Sequence, residues 1–186
     1  MPVVFRCSRG CGKVDGKSSG VARPIFGTGA GDFKGPLDML RWRMTTPRER
    51  EAACVCGQLR IRLAGDPQLV SSCHCFACQR RTGAVFGSTS FFARSQIVSI
   101  EGEDRTFRRA GDSGRFLTFH FCPTCGSNVF WESEPDSETV SVAVGAFADP
   151  SFPMPARTVW AENRHEWLPF PETIPWHRKN PEGGHV

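Results

Sequence analysis

Cys73-His74-Cys75-Phe76-Ala77-Cys78 is the stretch around which the rest of the chain is arranged. Three thiols within six residues suit a metal ion. Cys75 and Cys78 have the Cys-x-x-Cys spacing of a zinc knuckle, whose tight turn aims two sulfurs at one point. Cys73 adds a third sulfur from the strand leading in. Three thiolates leave one position of a tetrahedral zinc free. Open positions mark catalytic zinc, and closed four-ligand sites mark structural zinc.

Two further pairs flank this run. Cys54-Val55-Cys56 precedes it and Cys122-Pro123-Thr124-Cys125-Gly126 follows it. Those four thiols complete a tetrahedral site by themselves. The expectation is therefore two zinc ions per chain, one closed and one open. A disulfide framework fits poorly. Seven cysteines cannot all pair, and Cys-x-Cys resists internal bridging on geometry.

Moving outward, 186 residues make one domain by the usual prior. A hydrophobic content of 39%, with 15 Phe and 5 Trp, is enough for a core. No stretch approaches the roughly 20 apolar residues of a membrane span. The N-terminus lacks the apolar region and cleavage site of a secretory leader. Clustered free thiols then point to a reducing, cytoplasmic setting. The net charge of +4 divides unevenly. Residues 1–50 carry ten Lys/Arg against four Asp/Glu, and residues 51–186 carry thirteen against fifteen. The cysteine-bearing part is slightly acidic, so no basic stripe argues for nucleic acid there.

Residues 1–43 differ in texture. Glycines are scattered from Gly10 to Gly35 without strand alternation or helical period. The segment reads as a disordered or mis-annotated N-terminal extension, with Met44 as an alternative start. Cys7 and Cys11 form a Cys-x-x-x-Cys half-site without a partner pair. From Glu51 the texture is β. Strands are expected at 58–63, 69–72, 84–92, 96–101, 105–109, 115–121, 128–131 and 139–144, each alternating or rich in β-formers. Cys75–Arg81 is expected to be a short helix. The domain then spans 44–178, and from Lys179 the tail should fray.

These elements together resemble the glutathione-dependent formaldehyde-activating enzyme family, which also includes centromere protein V. The matching segments are Cys54-Val55-Cys56-Gly57, Cys73 through Ala84, and Phe121-Cys122-Pro123-Thr124-Cys125-Gly126-Ser127-Asn128-Val129-Phe130. The resemblance implies a mainly β fold, a β-tent of several coiled antiparallel sheets pinned by zinc knuckles. It implies that Cys54, Cys56, Cys122 and Cys125 hold a structural zinc, and that Cys73, Cys75 and Cys78 hold a catalytic one. The implied reaction joins glutathione and formaldehyde as a carbon–sulfur lyase. The alternative is a non-catalytic zinc scaffold that binds a partner.

The chemistry explains the residue types. A thiol is a poor nucleophile until deprotonated, and zinc favours the thiolate. Three thiolates on a divalent ion leave a net charge of −1. That softens its Lewis acidity and favours thiol activation over carbonyl polarisation. Arg80 and Arg81 follow the cluster and are candidates for the carboxylates of a glutathione-like thiol. His74, between two ligands, is expected to point away from the metal, and His120 within a strand reads as structural. Thr82 and Gly83 are expected to shape a turn and Ser127 and Asn128 to bond sulfur or backbone, while Trp160, Trp167 and Trp176 are candidates to line a pocket, with core or lid packing the plainer reading.

Overall fold

The computed structural model describes residues 48–112, 114–136 and 138–181. The expectations for residues 1–43, for Cys7 and Cys11, for Met44 and for the last five residues lie outside that range. Among the described residues ten strands form two sheets, with one α-helix. The first sheet is β1 (Glu49–Ala53), β2 (Arg60–Ala64) and β5 (Ile97–Glu101), with β2 central and both pairings antiparallel. The second has seven strands. They are β3 (Leu69–Cys73), β4 (Gly87–Ala93), β6 (Arg105–Ala110), β7 (Phe116–Phe121), β8 (Asn128–Glu134), β9 (Thr139–Ala143) and β10 (Arg157–Val159). Their order is β10-β3-β4-β9-β8-β7-β6. All neighbours are antiparallel except β10, which runs parallel to β3. The helix α1 is Phe76–Thr82.

The expected strands and the short helix are present. The alternation that marked them as strands also sorts their side chains. Phe92 of β4, Phe130 of β8 and Val140 and Val142 of β9 point to one face of the large sheet. There they meet Ala52, Ile61 and Leu63 of the small sheet, all fully buried. Residues of the other parity form a second face. Across neighbouring strands Phe119 pairs with Trp131, Trp131 with Ser141, and Ser141 with Phe91. A period of two thus gives β4, β8 and β9 one face toward the core and one toward the other side of the sheet.

Three details differ from the sequence reading, the first being β1, which no expected strand covered. β4 begins at Gly87 rather than Ala84. The intervening residues leave α1 through a bend, and Phe86 turns aside to pack on the His74 ring, 5.4 Å between centroids. β10, three residues between Pro-rich segments, has no alternation long enough to read. It is held by pairing Arg157, Thr158 and Val159 with Ser71, Ser72 and Cys73. A buried hydroxyl contact between Ser72 and Thr158, 2.6 Å, reinforces that pairing.

The core assignment is testable by chemical denaturation. Phe92→Ala should cost about 3–5 kcal/mol, because a fully buried ring leaves a cavity between the sheets. Phe107→Ser, on the outermost strand and 59% exposed, should stay within about 0.5 kcal/mol. Equal losses at the two positions would overturn the assignment.

Candidate functional site

The seven described cysteines are all free thiols, and they fall into two groups. Within each group the sulfurs lie within 4.8 Å of one another. Cys54, Cys56, Cys122 and Cys125 make the first, and Cys73, Cys75 and Cys78 the second.

The four-thiol group sits where two hairpins turn. Cys54 and Cys56 occupy the β1–β2 turn, and Cys122 and Cys125 the β7–β8 turn. The first hairpin belongs to the small sheet and the second to the large one, so the group ties one sheet to the other. Cys54 Sγ and Cys56 Sγ are 3.5 Å apart, and Cys56 Sγ and Cys122 Sγ 3.6 Å. A disulfide would need about 2.0 Å. Four thiolates at about 2.3 Å from one ion stand about 3.8 Å apart, so the donor set fits a tetrahedral metal. Neighbouring groups aim at sulfur. The Leu59 amide donates to Cys54 Sγ at 3.3 Å, and Gln58 Nε2 donates to Cys122 Sγ at 3.1 Å. Gly126 has φ +74°, which lets the Cys122–Cys125 turn close with its amide on the Cys122 carbonyl, 2.9 Å. Ser127 does what its position promised: its Oγ lies 3.4 Å from Cys125 Sγ and accepts from the Val55 amide.

The three-thiol group is built differently. Cys73 ends β3. Cys75 caps α1, its sulfur accepting from the Cys78 amide at 3.4 Å, and Cys78 lies one turn in. The helix stops at Gly83, whose amide bonds the Gln79 carbonyl, while Thr82 Oγ1 donates to the Cys78 carbonyl at 2.9 Å. This anchors the turn that carries Cys78.

Charge explains why each group suits a cation. Cys75 is drawn down to about 2 by hydrogen bonds from Cys73 and then Cys78. The same contact with Cys75, then Cys78 and burial, pushes Cys73 up. The trio therefore holds one thiolate readily and resists a second. In the other group the Ser127 hydroxyl and amide draw Cys125 down to about 5. Cys56 is pushed up to about 12, because the pull of the Gln58 amide is outweighed by the Cys54, Cys122 and Cys125 thiols. A divalent ion lifts that restriction in both places, since its charge favours every coordinated thiolate. Both groups are thus able to hold metal ions.

Of the two cysteine groups, the trio borders a cavity. Cys73, Cys75 and Cys78 line a space of about 190 Å³ on the second face of the large sheet, and no cysteine of the four-thiol group borders it. Arg81 lines the cavity too. Its guanidinium stacks on the Trp131 ring at 4.3 Å and donates to Asn128 Oδ1. Asn128 in turn donates to the His120 carbonyl at 2.9 Å. Gly87 makes room: a Cβ there would lie 3.3 Å from an Arg81 nitrogen and 3.4 Å from Cys78 Cβ. Arg80 is exposed on α1 and does not border the cavity. His74 is fully buried and points away, packed against Phe86 and Phe170. Burial, then the charge of Arg164, pushes it below the usual imidazole range. His120 pairs with Asp104 and stacks on Phe130 at 4.3 Å. Trp160 borders the cavity, while Trp167 and Trp176 are about 70% exposed. Trp131, Arg109, Arg115 and Arg157 also line the cavity and were missed. Their strand parity was readable, but which face holds the cavity depends on how the sheet curls.

The family model described as glutathione-dependent formaldehyde-activating enzyme matches residues 49–163. A crystal structure of a Rhodobacter sphaeroides protein, a structural-genomics target, is similar at 17% identity and a TM-score of 0.40. The match covers 68% of this chain and 99% of that one. No curated protein matches.

The packing beside Cys78 predicts a small but specific cost. Gly87→Ala should destabilise the protein by about 1–2 kcal/mol, since the Arg81 guanidinium, held by Trp131 and Asn128, must give way. Gly145→Ala, with nothing within 4 Å, should stay within about 0.5 kcal/mol. Urea melts of the two variants check this, and indistinguishable midpoints would refute it.

Proposed function

The chain belongs to the family of glutathione-dependent formaldehyde-activating enzymes, and from that premise we propose that it is a carbon–sulfur lyase joining a thiol to a small aldehyde. The observation that carries the proposal is the contrast between the cysteine groups. The three-thiol group faces a cavity, and the four-thiol group braces two hairpins away from it. A closed set of four suits a structural zinc, and an open set of three a catalytic one.

In this reading Cys54, Cys56, Cys122 and Cys125 hold the structural ion, and Cys73, Cys75 and Cys78 the catalytic one. The ion at the trio would supply one thing, stabilisation of an incoming thiol as its thiolate. The protein supplies the rest. The trio fixes three sulfurs on a strand end and a helix turn. Arg81, held by Trp131 and Asn128, keeps a positive charge beside a cluster that is anionic when loaded. The thiol is glutathione or a similar molecule and the aldehyde formaldehyde or another small carbonyl. In the forward direction the thiol sulfur bonds to the carbonyl carbon, and the thiol proton ends on the carbonyl oxygen. The reverse breaks the same bond, so no co-reactant is needed. Among the described residues no helix is long and apolar enough to cross a membrane. The site chemistry calls for neither a membrane nor a nucleic acid.

Exchange NMR of glutathione with formaldehyde at equilibrium tests the activity. Wild type should accelerate hemithioacetal exchange above the spontaneous rate, while Cys75→Ser and chelator-stripped protein should not. If all three match the uncatalysed rate across several thiols and aldehydes, the lyase reading fails and a zinc scaffold that binds a partner replaces it.

Metal analysis tests the division of the cysteines. Wild type should carry two zinc ions. Cys75→Ser should retain its fold and one ion, helped by serine being a good helix cap. Cys122→Ser should lose cooperative unfolding, because structural zinc contributes about 10–16 kcal/mol of binding energy to folding. A single ion in wild type would overturn the division.

A further inference from the structure

The cavity has more chemistry than the three thiols use. Residues of both outer strands of the large sheet reach this cavity: Arg109 of β6 and Arg157 of β10, six strands apart in pairing order, line the same space. Arg115, from the β6–β7 turn, joins them. Four arginines and two aspartates border the cavity in all. Arg81 is committed to Asn128 and Trp131 at the sulfur end, whereas Arg115 has no ion pair among the described residues.

The floor between these walls is hydroxylated. Thr89, Ser133 and Ser141 line the cavity, and Thr89 and Ser141 are only 7% and 6% exposed. No protein group among the described residues takes a hydrogen bond from any of the three hydroxyls. The same strands bury Val140, Val142 and Phe92 on their other face, so apolar residues are available to them. A nearly buried hydroxyl without a protein partner is satisfied by water or by a ligand. Guanidinium groups and hydroxyls that line one space match an oxygen-rich anion, which a fork of N–H donors grips in two places.

We propose that this face is a specificity subsite for the carboxylate-bearing tail of the thiol, gripped by Arg109, Arg115 and Arg157 over the floor of Thr89, Ser133 and Ser141. The inference rests on the thiol–aldehyde reading only for the other end of the ligand. Arg81 stays at the sulfur end and leaves tail recognition to the β6–β7 hairpin and β10. A neutral thiol of the same reactivity then enters without an anchor.

The probe is S-methylglutathione, which keeps both carboxylates and has no free thiol, compared with its dimethyl ester by isothermal titration calorimetry. Wild type should bind the acid at least tenfold more tightly than the ester. Arg109→Gln and Arg115→Gln should each weaken the acid by about tenfold and leave the ester unchanged, the range expected for losing a charged hydrogen bond. Both positions lie at the outer edge of the sheet, so unfolding is not expected. Ser141→Ala gives a second reading with a side chain that any strand accepts, and should weaken the acid several-fold. Equal binding of acid and ester, or unchanged binding in all three variants, overturns the subsite. Its failure is separable from that of the activity. Selective binding by a protein that does not accelerate exchange sinks the lyase and keeps the subsite. Acceleration as strong for 2-mercaptoethanol as for glutathione, with unchanged KM in the arginine variants, does the reverse.

Discussion

Four sulfur atoms drawn from two hairpins, with no covalent bond between them, are the contact on which the architecture depends. β1–β2 belongs to a three-stranded sheet that buries few residues alone. β7–β8 lies in the seven-stranded sheet. The clustered thiols fasten the turns of the two hairpins to each other, and the buried faces of both sheets close behind that junction. A small sheet of this kind is marginal in isolation. The neighbouring donors, the Leu59 amide and the Gln58 side chain, satisfy part of the electron density on sulfur. The remaining negative charge is what a divalent ion answers. Closure at this end leaves the opposite face of the large sheet free to curl around a cavity.

The second organising element is the exchange of roles around Cys73. β3 delivers it to the cavity, α1 begins two residues later, and β10 runs alongside to hold the strand in place. Arg81 then connects this site to the far junction. Its partner Asn128 is the first residue of β8, next to Ser127, which contacts both Cys125 and the Val55 amide. The two cysteine groups are therefore joined by a short series of polar contacts as well as by the sheet.

Much of this was legible in the chain itself. Cysteine spacing separated four thiols from three because turn geometry ties spacing to convergence. Alternation and β-forming residues located eight strands because most of them face the core on one side only. What stayed hidden depended on long-range geometry. β1 follows directly on the polar Pro47-Arg48 segment and has only five residues. β10 is held by its parallel neighbour on one side and by backbone bonds to Pro175 and His177 on the other, all set by long-range folding. Arg80 and Arg81 were equal candidates in sequence, yet a helix turns adjacent residues about 100° apart, so Arg81 reaches the cavity and Arg80 faces outward. Arg109, Arg115 and Arg157 come from segments far apart along the chain, and no local pattern announces that they share a space.

The strict two-sidedness of the large sheet has a consequence for how such a protein can diversify. Residues that hold the sheets together and residues that face the cavity alternate along the same strands, one position apart, and rarely touch. Selection can therefore rewrite Ser141 without disturbing Val140 or Val142, and can replace the hairpin arginines without reaching either cysteine group. One cysteine-bearing frame can be inherited intact while its ligand preference drifts from lineage to lineage.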